Sequence, residues 1–241
     1  MSTTHEIVLT PVTTKVRFYT SVDNGSYIPS HWHRAIEIIY IQTGALTVTV
    51  ESHMQELTAG QCILINSNVV HSTQCTIPNT AIVFQIPLDF IETYIPQVRS
   101  LLFHLPEGSA DPKERTKLDI FKNTLEKMQI ANDMQPDGFL LRFNSLLFEV
   151  LFQLYHSFST KVMHSDFSKK KKELDRLNPV LQYTTEHYNE PISIQEIADV
   201  ACLQPGYFCR FFKSNMGTTF LEYLHLSRLG QKKFYFFLYI F

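Results

Sequence analysis

Short β-branched and aromatic runs alternate with glycine-containing turns in the first third of the chain. The runs cover residues 16–19, 36–42, 46–51, 61–65 and 81–86, and the turns lie at Asn24-Gly25, Thr43-Gly44 and Ala59-Gly60. Short strands at regular spacing with glycine turns are typical of all-β barrels and sandwiches. The pattern therefore predicts a β-barrel between residues 12 and 86.

After Pro106 the apolar residues recur every three or four positions, which is the spacing of amphipathic helices. Residues 115–130 and 139–158 are predicted to form a helical hairpin with its turn at 133–138. The second helix is rich in aromatic residues, namely Phe139, Phe143, Phe148, Phe152 and Tyr155. We expect this hairpin to be a dimer surface, although burial within one chain must account for part of the aromatic area.

Residues 191–229 have the pattern of two short helices joined by a tight turn. Ser193 is a good N-cap and Glu196 follows three residues later, as a capping box requires. Pro205 suits the first turn of a second helix, which ends at Gly217. Its inward residues are Phe208, Phe211 and Phe212, and its outward residues are Gly206, Cys209, Arg210 and Lys213. The pattern predicts a helix-turn-helix; the alternative is a small helical bundle that binds no DNA.

Composition and charge constrain this picture further. The 241 residues are enough for two domains, and 44% hydrophobic with 18% charged content is typical of a soluble globular protein. Residues 1–160 carry ten Lys and Arg against fifteen Asp and Glu, whereas residues 161–241 carry eleven against eight. The mildly basic second part suits a phosphate-bearing partner. No signal peptide or membrane-spanning stretch is found, and four cysteines without a C-x-x-C pair predict reduced thiols and a cytoplasmic location.

Three groups of residues in the C-terminal part resemble the first DNA-binding half of AraC/XylS-type transcription regulators. They are I-x-E-I-A at 194–198, F-x-R-x-F-K at 208–213 and G-x-T-F-x-x-Y-L-x3-R-L at 217–229. The resemblance implies that the second helix enters the major groove, where Gly206, Cys209 and Arg210 face bases and Lys213 contacts phosphate. It also implies a ligand-responsive regulator of carbohydrate or small-metabolite genes, which is not an enzyme and needs no cofactor.

The end of the chain departs from that pattern. AraC-type DNA-binding domains carry a second helix-turn-helix, whereas residues 230–241 read G-Q-K-K-F-Y-F-F-L-Y-I-F. We interpret this run as an aberrant, aggregation-prone hydrophobic tail on a truncated chain. DNA binding is then expected to be weakened and strongly salt-dependent. A further hypothesis is a truncated product that dimerises but does not bind DNA.

A second resemblance is to the cupin barrel. The motif Gly25-x5-His31-x-His33-x3-Glu37-x6-Gly44 is followed by Gly60-x10-His71, and the second cupin motif is degraded at Asn66, Asn68 and Cys75. Because side chains alternate along a strand, His31, His33 and Glu37 share one face, and His71 is expected to join them inside the barrel. The same parity places Trp32, Arg34 and Tyr40 on the opposite face, with Trp32 packed under helices.

The four inward side chains admit three interpretations. Three imidazoles and a carboxylate suit Fe, Mn, Ni or Zn, which would fit a metal-dependent cupin enzyme of the dioxygenase or isomerase class. In AraC-type regulators the same barrel serves as a sensor, which implies that His31, His33, Glu37 and His71 line an effector site. Inert strand packing is the third interpretation. We expect effector binding, with a small polar metabolite such as a sugar as the ligand.

The predicted fold class is α+β: an N-terminal cupin-like β-barrel with a helical hairpin, followed by an incomplete all-α helix-turn-helix domain. The predicted units are an effector-sensing barrel (1–105), a dimerisation hairpin (106–160), a linker (161–176), the first helix-turn-helix with its linker helix (177–229) and the tail (230–241). The expected partners are double-stranded promoter DNA, a small-molecule effector, a second copy of the chain and RNA polymerase, with no membrane.

Overall fold

The structure is a computed structural model of the chain, and it describes residues 4–51, 53–162, 176–225 and 228. Seven strands in the N-terminal part form one sheet, which we call the β-domain. They are β1 (Thr4–His5), β2 (Arg17–Asp23), β3 (Tyr27–Trp32), β4 (Ala35–Val50), β5 (His53–Thr58), β6 (Cys62–Ile65) and β7 (His71–Pro87). The long strands β4 and β7 pair antiparallel; β2 and β3 pair with β7, β5 and β6 pair with β4, and β1 lies parallel to β3.

The predicted turn at Thr43-Gly44 is wrong. β4 is continuous, and its register against β7 shifts at several points between Ile41 and Thr47. Gly44 has a φ of +74°, and a Cβ at this position would lie 1.9 Å from the carbonyl oxygen of Pro78. A bulge within a strand uses glycine for the same reason that a turn does, so the sequence pattern did not separate the two.

Two other strands differ from the predicted runs. β7 begins at His71, ten residues before the predicted run at 81–86, because its first half pairs with β3 and with the second half of β4. β5 was not predicted, since most of its residues are exposed and it lies at the end of the strand order. An edge strand with one polar face and little burial has a weak hydrophobic signal.

A helical hairpin covers the outer face of the β-domain. Its helices, α2 (Pro112–Met134) and α3 (Phe139–Ser157), contain the two predicted helical segments. Even-numbered residues in the first half of β4 and the second half of β7 point to the hairpin and share one hydrophobic cluster with it: Ile36, Ile38, Ile82, Phe84, Phe121, Leu125, Phe143 and Leu147. On the same face the Tyr40 hydroxyl donates to Glu126 of α2 at 2.8 Å. In these two halves the odd-numbered residues therefore face the interior of the β-domain.

Short elements connect the hairpin to the rest of the chain. α1 (Leu88–Glu92) and a 3₁₀ turn (Val98–Ser100) lead to β8 (Leu101–Phe103), which pairs antiparallel with β9 (Ser159–Lys161). The predicted start of the linker at residue 161 is wrong, because Lys161 pairs with Leu101. Most of the predicted linker, residues 163–175, lies outside the described residues.

The C-terminal part consists of α4 (Asn178–His187), α5 (Ile194–Val200), α6 (Pro205–Met216) and a further helical stretch at 220–225. α4 ends at His187 and not near Glu190 as predicted. The capping box at the start of α5 is present: the Glu196 amide donates to Ser193 Oγ at 3.1 Å, and the Ser193 amide donates to Glu196 at 3.3 Å. Gly217, with a φ of +74°, ends α6.

These helices have their own hydrophobic cluster, whose buried members include Val180, Leu181, Ile197, Phe208, Phe212 and Phe220. One further member belongs to the β-domain. Trp32 is completely buried in this cluster, and its indole Nε1 donates to the Asn215 carbonyl oxygen at 3.0 Å. Trp32 thus packs under helices as expected, and those helices are the C-terminal ones. The predicted tail at 230–241 lies outside the described residues. Within the described part of the chain, none of the helices has the combined length and apolar character that crossing a membrane requires.

Candidate functional site

The interior face of the β-domain borders a cavity of about 370 Å³. Its apolar wall is formed by Ile39, Leu46, Ala81 and Val83, and its polar lining includes Glu6, Tyr19, His31, Glu37, Thr73, Asn79 and Gln85. A cavity of this size, apolar with a few converging polar groups, is typical of small-molecule sites. Along the first half of β4 and the second half of β7, odd-numbered residues line the cavity while their even-numbered neighbours pack on the hairpin. The register shift between Ile41 and Thr47 reverses this parity, so that Leu46 lines the cavity.

Three histidines meet beside this cavity, and one of them, His31, lines it. His31 lies in β3, His33 follows it, and His71 is the first residue of β7. The ring centroids of His31 and His71 are 4.1 Å apart, those of His33 and His71 are 5.0 Å apart, and all three side chains are buried. The structure therefore brings together the residues that the two motifs singled out. His31 and His71 are cross-strand partners in the register of β3 and β7, and this pairing brings His71 next to the two histidines of the first motif.

Glu37 is the fourth predicted member and joins this cluster through its carboxylate. Its Oε2 lies 2.7 Å from His33 Nε2 and 3.7 Å from His71 Nε2. Burial raises the pKa of Glu37, but the contacts with His33 and His71 outweigh burial and hold the pKa well below its ordinary value. Burial lowers the pKa of His71, but the nearby Glu37 carboxylate reverses that effect and the pKa is raised. Burial and the adjacent His71 lower the pKa of His31.

A hydrogen-bond network extends the cluster to residues that the sequence analysis missed. Gln85 Nε2 donates to Glu37 at 2.8 Å and to Glu6 at 3.1 Å, and Arg17 donates to Glu6 at 2.9 Å. Gln85 is the cross-strand partner of both Arg17 and Glu37, so the register of the sheet builds this network. A polar residue at an interior-facing position of the otherwise apolar run 81–86 was the available signal for Gln85. Nothing in the pattern around Glu6 indicated its role.

The histidine cluster has the chemistry of a metal site. One ring nitrogen from each of His31, His33 and His71 lies within 4.8 Å of the other two. His31 Nδ1 is 2.9 Å from the Pro29 carbonyl oxygen and His71 Nδ1 is 2.9 Å from that of Val69. Because a carbonyl oxygen only accepts, these bonds favour the Nδ1–H tautomer and leave the Nε2 lone pairs directed elsewhere. The residues present therefore fit a divalent transition metal bound through imidazole.

The predicted DNA-reading residues lie on one exposed surface of α6. Gly206, Cys209, Arg210 and Lys213 are all exposed, while Phe208 and Phe212 are buried. Phe211 was predicted to face inward; it packs against the C-terminal cluster but stays half-buried, and its ring stacks on Tyr207 with 6.2 Å between ring centroids. Tyr207 is half-exposed on the same surface and was missed, because an aromatic residue beside a phenylalanine-rich face suggests core packing.

Comparison with known proteins agrees with both halves of this structure. Residues 18–86 match the Cupin domain family, and residues 185–225 match the bacterial regulatory helix-turn-helix proteins of the AraC family. A cupin domain together with an AraC-type helix-turn-helix identifies the chain as a DNA-binding transcriptional regulator. The cupin-like and helix-turn-helix interpretations of the sequence, and the α+β fold class, are thereby confirmed.

Individual relatives have the same character. The chain is 26% identical over 213 residues to the probable transcriptional regulator LumQ of Photobacterium leiognathi, covering 84% of this chain and 74% of that protein. It is 24% identical over 234 residues to the uncharacterized HTH-type transcriptional regulator YdeC of Bacillus subtilis, covering 92% of this chain and 77% of that protein. Among solved structures, an RmlC-like cupin from Shewanella frigidimarina is 25% identical with a TM-score of 0.29, covering 32% of this chain and 72% of that one.

Proposed function

We propose that this regulator responds to a small polar metabolite that binds in the cavity of the β-domain. The observation that carries the proposal is a cavity of about 370 Å³ with a buried polar cluster, in the same chain as an AraC-family helix-turn-helix. The four residues His31, His33, Glu37 and His71 are the proposed effector-binding group, together with Glu6 and Gln85. Carboxylate, amide and imidazole groups in one buried place suit the hydroxyl groups of a sugar-like ligand.

DNA recognition is assigned to the exposed surface of α6. Arg210 has the donor geometry to read a guanine through two hydrogen bonds, whereas Lys213 in the last turn suits a phosphate contact. Gly206 allows close approach of the backbone, and Cys209 adds a small side chain to the same surface. Promoter DNA is the proposed partner, and contact with RNA polymerase belongs to the same hypothesis. Because its target is chromosomal DNA, we expect the chain to act in the cytoplasm.

Dimerisation is assigned to the hairpin surface that faces away from the β-domain. Phe143, one of the five aromatic residues expected there, is buried within the chain, and Phe139 packs partly against the same core. Phe148, Phe152 and Tyr155 are exposed on α3, and Leu141 on the same helix is 81% exposed. An apolar patch of this kind on a helix suits a two-fold contact with a second copy of the chain.

Regulation would follow from a difference in affinity between two arrangements of the domains. A ligand shifts such an equilibrium only if it binds one arrangement more tightly than the other. The N-terminal arm, residues 4–7, is placed for this role, because Glu6 lines the cavity while the neighbouring His5 ring lies 5.6 Å from the ring of Tyr223 in the C-terminal helices. An effector that engages Glu6 would therefore favour one position of the arm.

The alternative function is a metal-dependent cupin enzyme, favoured by the three converging imidazoles. His31, His33 and His71 would then hold the ion, which would act as a Lewis acid beside the Glu37 carboxylate. We propose the non-enzymatic function, because the domain composition and the names of the relatives are those of regulators. Elemental analysis of the purified chain separates the two functions. A stoichiometric metal ion, with loss of both the metal and an enzymatic activity in His71→Ala, would favour the enzyme.

DNA binding by the full chain tests the proposed function. Duplexes selected from a random library should bind with an affinity that falls steeply as salt rises, since phosphate contacts release counterions. Arg210→Ala should weaken binding to the selected sequence by roughly tenfold to a hundredfold while changing non-specific binding little. Arg115→Ala, which removes the same charge from exposed α2, is the matched control. Equal losses in the two variants, or no retention of any duplex at low salt, would contradict the assignment.

A further inference from the structure

The wall between the cavity and the C-terminal helices is only one strand thick. It consists of residues 5–7, 31–33 and 70–71, which we call the dividing wall. In each of these segments, adjacent residues point in opposite directions. Glu6 and His31 line the cavity, and His33 and His71 contact or approach Glu37, which also lines it. Their immediate neighbours Ile7, Trp32 and Val70 pack in the hydrophobic cluster of the C-terminal helices.

Trp32 is the centre of this wall on the C-terminal side. It stands between two histidines of the polar cluster, so a shift of either histidine acts on a backbone that Trp32 shares. Its ring is completely buried, and the His5 ring packs against it at a centroid distance of 4.5 Å. His5 is half-buried, and neither of its ring nitrogens has a hydrogen-bond partner among the described residues. The contact with the helices therefore depends on Trp32 more than on His5.

The indole of Trp32 contacts the DNA-reading helix itself. Its Nε1 donates to the carbonyl oxygen of Asn215, which lies in the last turn of α6. The last four carbonyl groups of a helix have no partner within the helix, so an external donor at this point stabilises the helix end. Arg210 and Lys213 lie within the last two turns of the same helix. The orientation of the DNA-reading surface is thus fixed in part by a side chain of the β-domain.

On the basis of the function proposed above, we propose that Trp32 is a positioning residue that transmits the state of the cavity to the DNA-reading helix through the dividing wall. A ligand that engages Glu6, His31 or Glu37 changes the position of the wall strands. The change reaches the Asn215 carbonyl through the indole, without passing through the linker between the domains. The path is short: one residue separates each cavity-facing side chain from one that packs on the C-terminal helices.

Hydrogen exchange of the full chain tests this coupling without DNA or effector. Trp32→Phe keeps an aromatic ring but removes the donor, and amides in residues 205–216 should exchange roughly threefold to tenfold faster. Glu37→Gln removes the cavity carboxylate at constant size, and it should also change exchange in residues 205–216. It should shift the emission of Trp32 as well, which is the only tryptophan in the sequence. Tyr40→Phe is the control, because it removes a hydrogen bond from the same strand on the hairpin face.

The double variant Trp32→Phe/Glu37→Gln shows whether the effect of Glu37 reaches α6 through Trp32 or whether the two substitutions destabilise α6 independently. If Trp32 carries the coupling, Glu37→Gln adds no further change in residues 205–216 once Trp32→Phe is present, because interacting sites are non-additive. Strictly additive effects would overturn the proposal, as would a Glu37→Gln chain in which residues 205–216 and the Trp32 emission match the unsubstituted chain. Unchanged hydrogen exchange in residues 112–157 verifies that each variant keeps the fold of the β-domain. If Glu37→Gln unfolds the β-sheet, His31→Gln takes its place in the experiment. Failure to bind DNA would count against the proposed function and leave this measurement unaffected.

Discussion

The β-domain packs against helices on two sides, and the two contacts differ in kind. On the hairpin side, whole rows of apolar side chains from β4 and β7 form one continuous cluster with α2 and α3. On the C-terminal side, the β-domain contributes one fully buried residue, Trp32, with Ile7 and Val70 partly buried beside it. Hydrogen bonds supplement this smaller contact, from Trp32 to Asn215 at 3.0 Å and from Asn68 to Asn178 at 3.3 Å.

The difference indicates which contact is permanent and which can change. A large apolar contact resembles a domain core and opens only when the domain unfolds. A small contact with a few hydrogen bonds opens at a lower free energy, as regulatory elements require. We therefore regard the β-domain with its hairpin as one folding unit, and the attachment of the C-terminal helices as the adjustable joint. Four predictions test this difference, in order of decreasing effect.

Truncation of a hairpin core residue should destabilise the whole folding unit. Phe121 is completely buried between the sheet and α3, so Phe121→Ala leaves a cavity and should lower the free energy of unfolding by about 3–5 kcal/mol. Denaturant unfolding followed by circular dichroism measures the loss. Exchange should accelerate in β4 and α2 together. Acceleration confined to α2 would show that the hairpin is a separate unit.

Truncation of Trp32 should loosen only the joint. Trp32→Ala removes a fully buried ring from the smaller cluster, and we expect the C-terminal helices to lose about 3 kcal/mol of local stability. Hydrogen exchange should rise in residues 178–216 and stay unchanged in α2 and α3. If the hairpin helices exchange faster as well, the two contacts are not independent.

Acid should weaken the joint before it affects the hairpin. Burial lowers the pKa of His5 to about 3, and His33 and Arg34 add to the effect. When the N-terminal arm is detached from the C-terminal helices, His5 takes up a proton near pH 6.5, whereas in the attached arm it does not. Attachment of the arm is therefore unaffected above pH 6.5. Its equilibrium constant falls by about tenfold per pH unit as the pH decreases from 6.5 towards 3. Trp32 emission followed between pH 7 and 5 should report the change.

A matched variant checks the origin of this pH dependence. His5→Phe retains a ring against Trp32 but cannot be protonated, so its emission should vary much less over the same pH range. Two histidines of the cluster, His31 with a lowered pKa and His71 with a raised pKa, contribute the remaining slope. An undiminished slope in His5→Phe would assign the effect to that cluster and not to the arm.

The smallest effect on stability is expected on the exposed surface of the hairpin. Phe152 is 58% exposed, so Phe152→Glu should change the free energy of unfolding of one chain by no more than about 0.5 kcal/mol. The same substitution should convert a dimer to a monomer, as measured by sedimentation, if this surface is the dimer contact. Met54→Glu, at an exposed apolar residue of β5 outside the hairpin, is a control with the same charge. A monomeric unsubstituted chain would contradict the dimer hypothesis.

Much of the fold and the candidate site followed from local pattern. Fixed spacing and strand parity were enough to bring His31, His33 and Glu37 to one face, and the capping box at Ser193 and Glu196 located α5. The contacts that escaped prediction are those that depend on distant pairing. Trp32 meets Asn215 across 183 positions of sequence, and Glu6 reaches the cavity from a two-residue strand with no periodicity to recognise. Gly44 was wrongly predicted to lie in a turn, because turns and bulges both favour glycine for its positive φ.

The uninterrupted course of β4 through Gly44 has a consequence for engineering the chain. A turn at residues 43–44 would have been a natural place for an inserted tag or a new pair of termini, since loop tips tolerate such changes. Here an insertion would separate the half of β4 that pairs with β6 from the half that pairs with β5. Tags and fusion partners at this glycine should therefore yield insoluble protein, and the position admits neither a larger residue nor a longer chain.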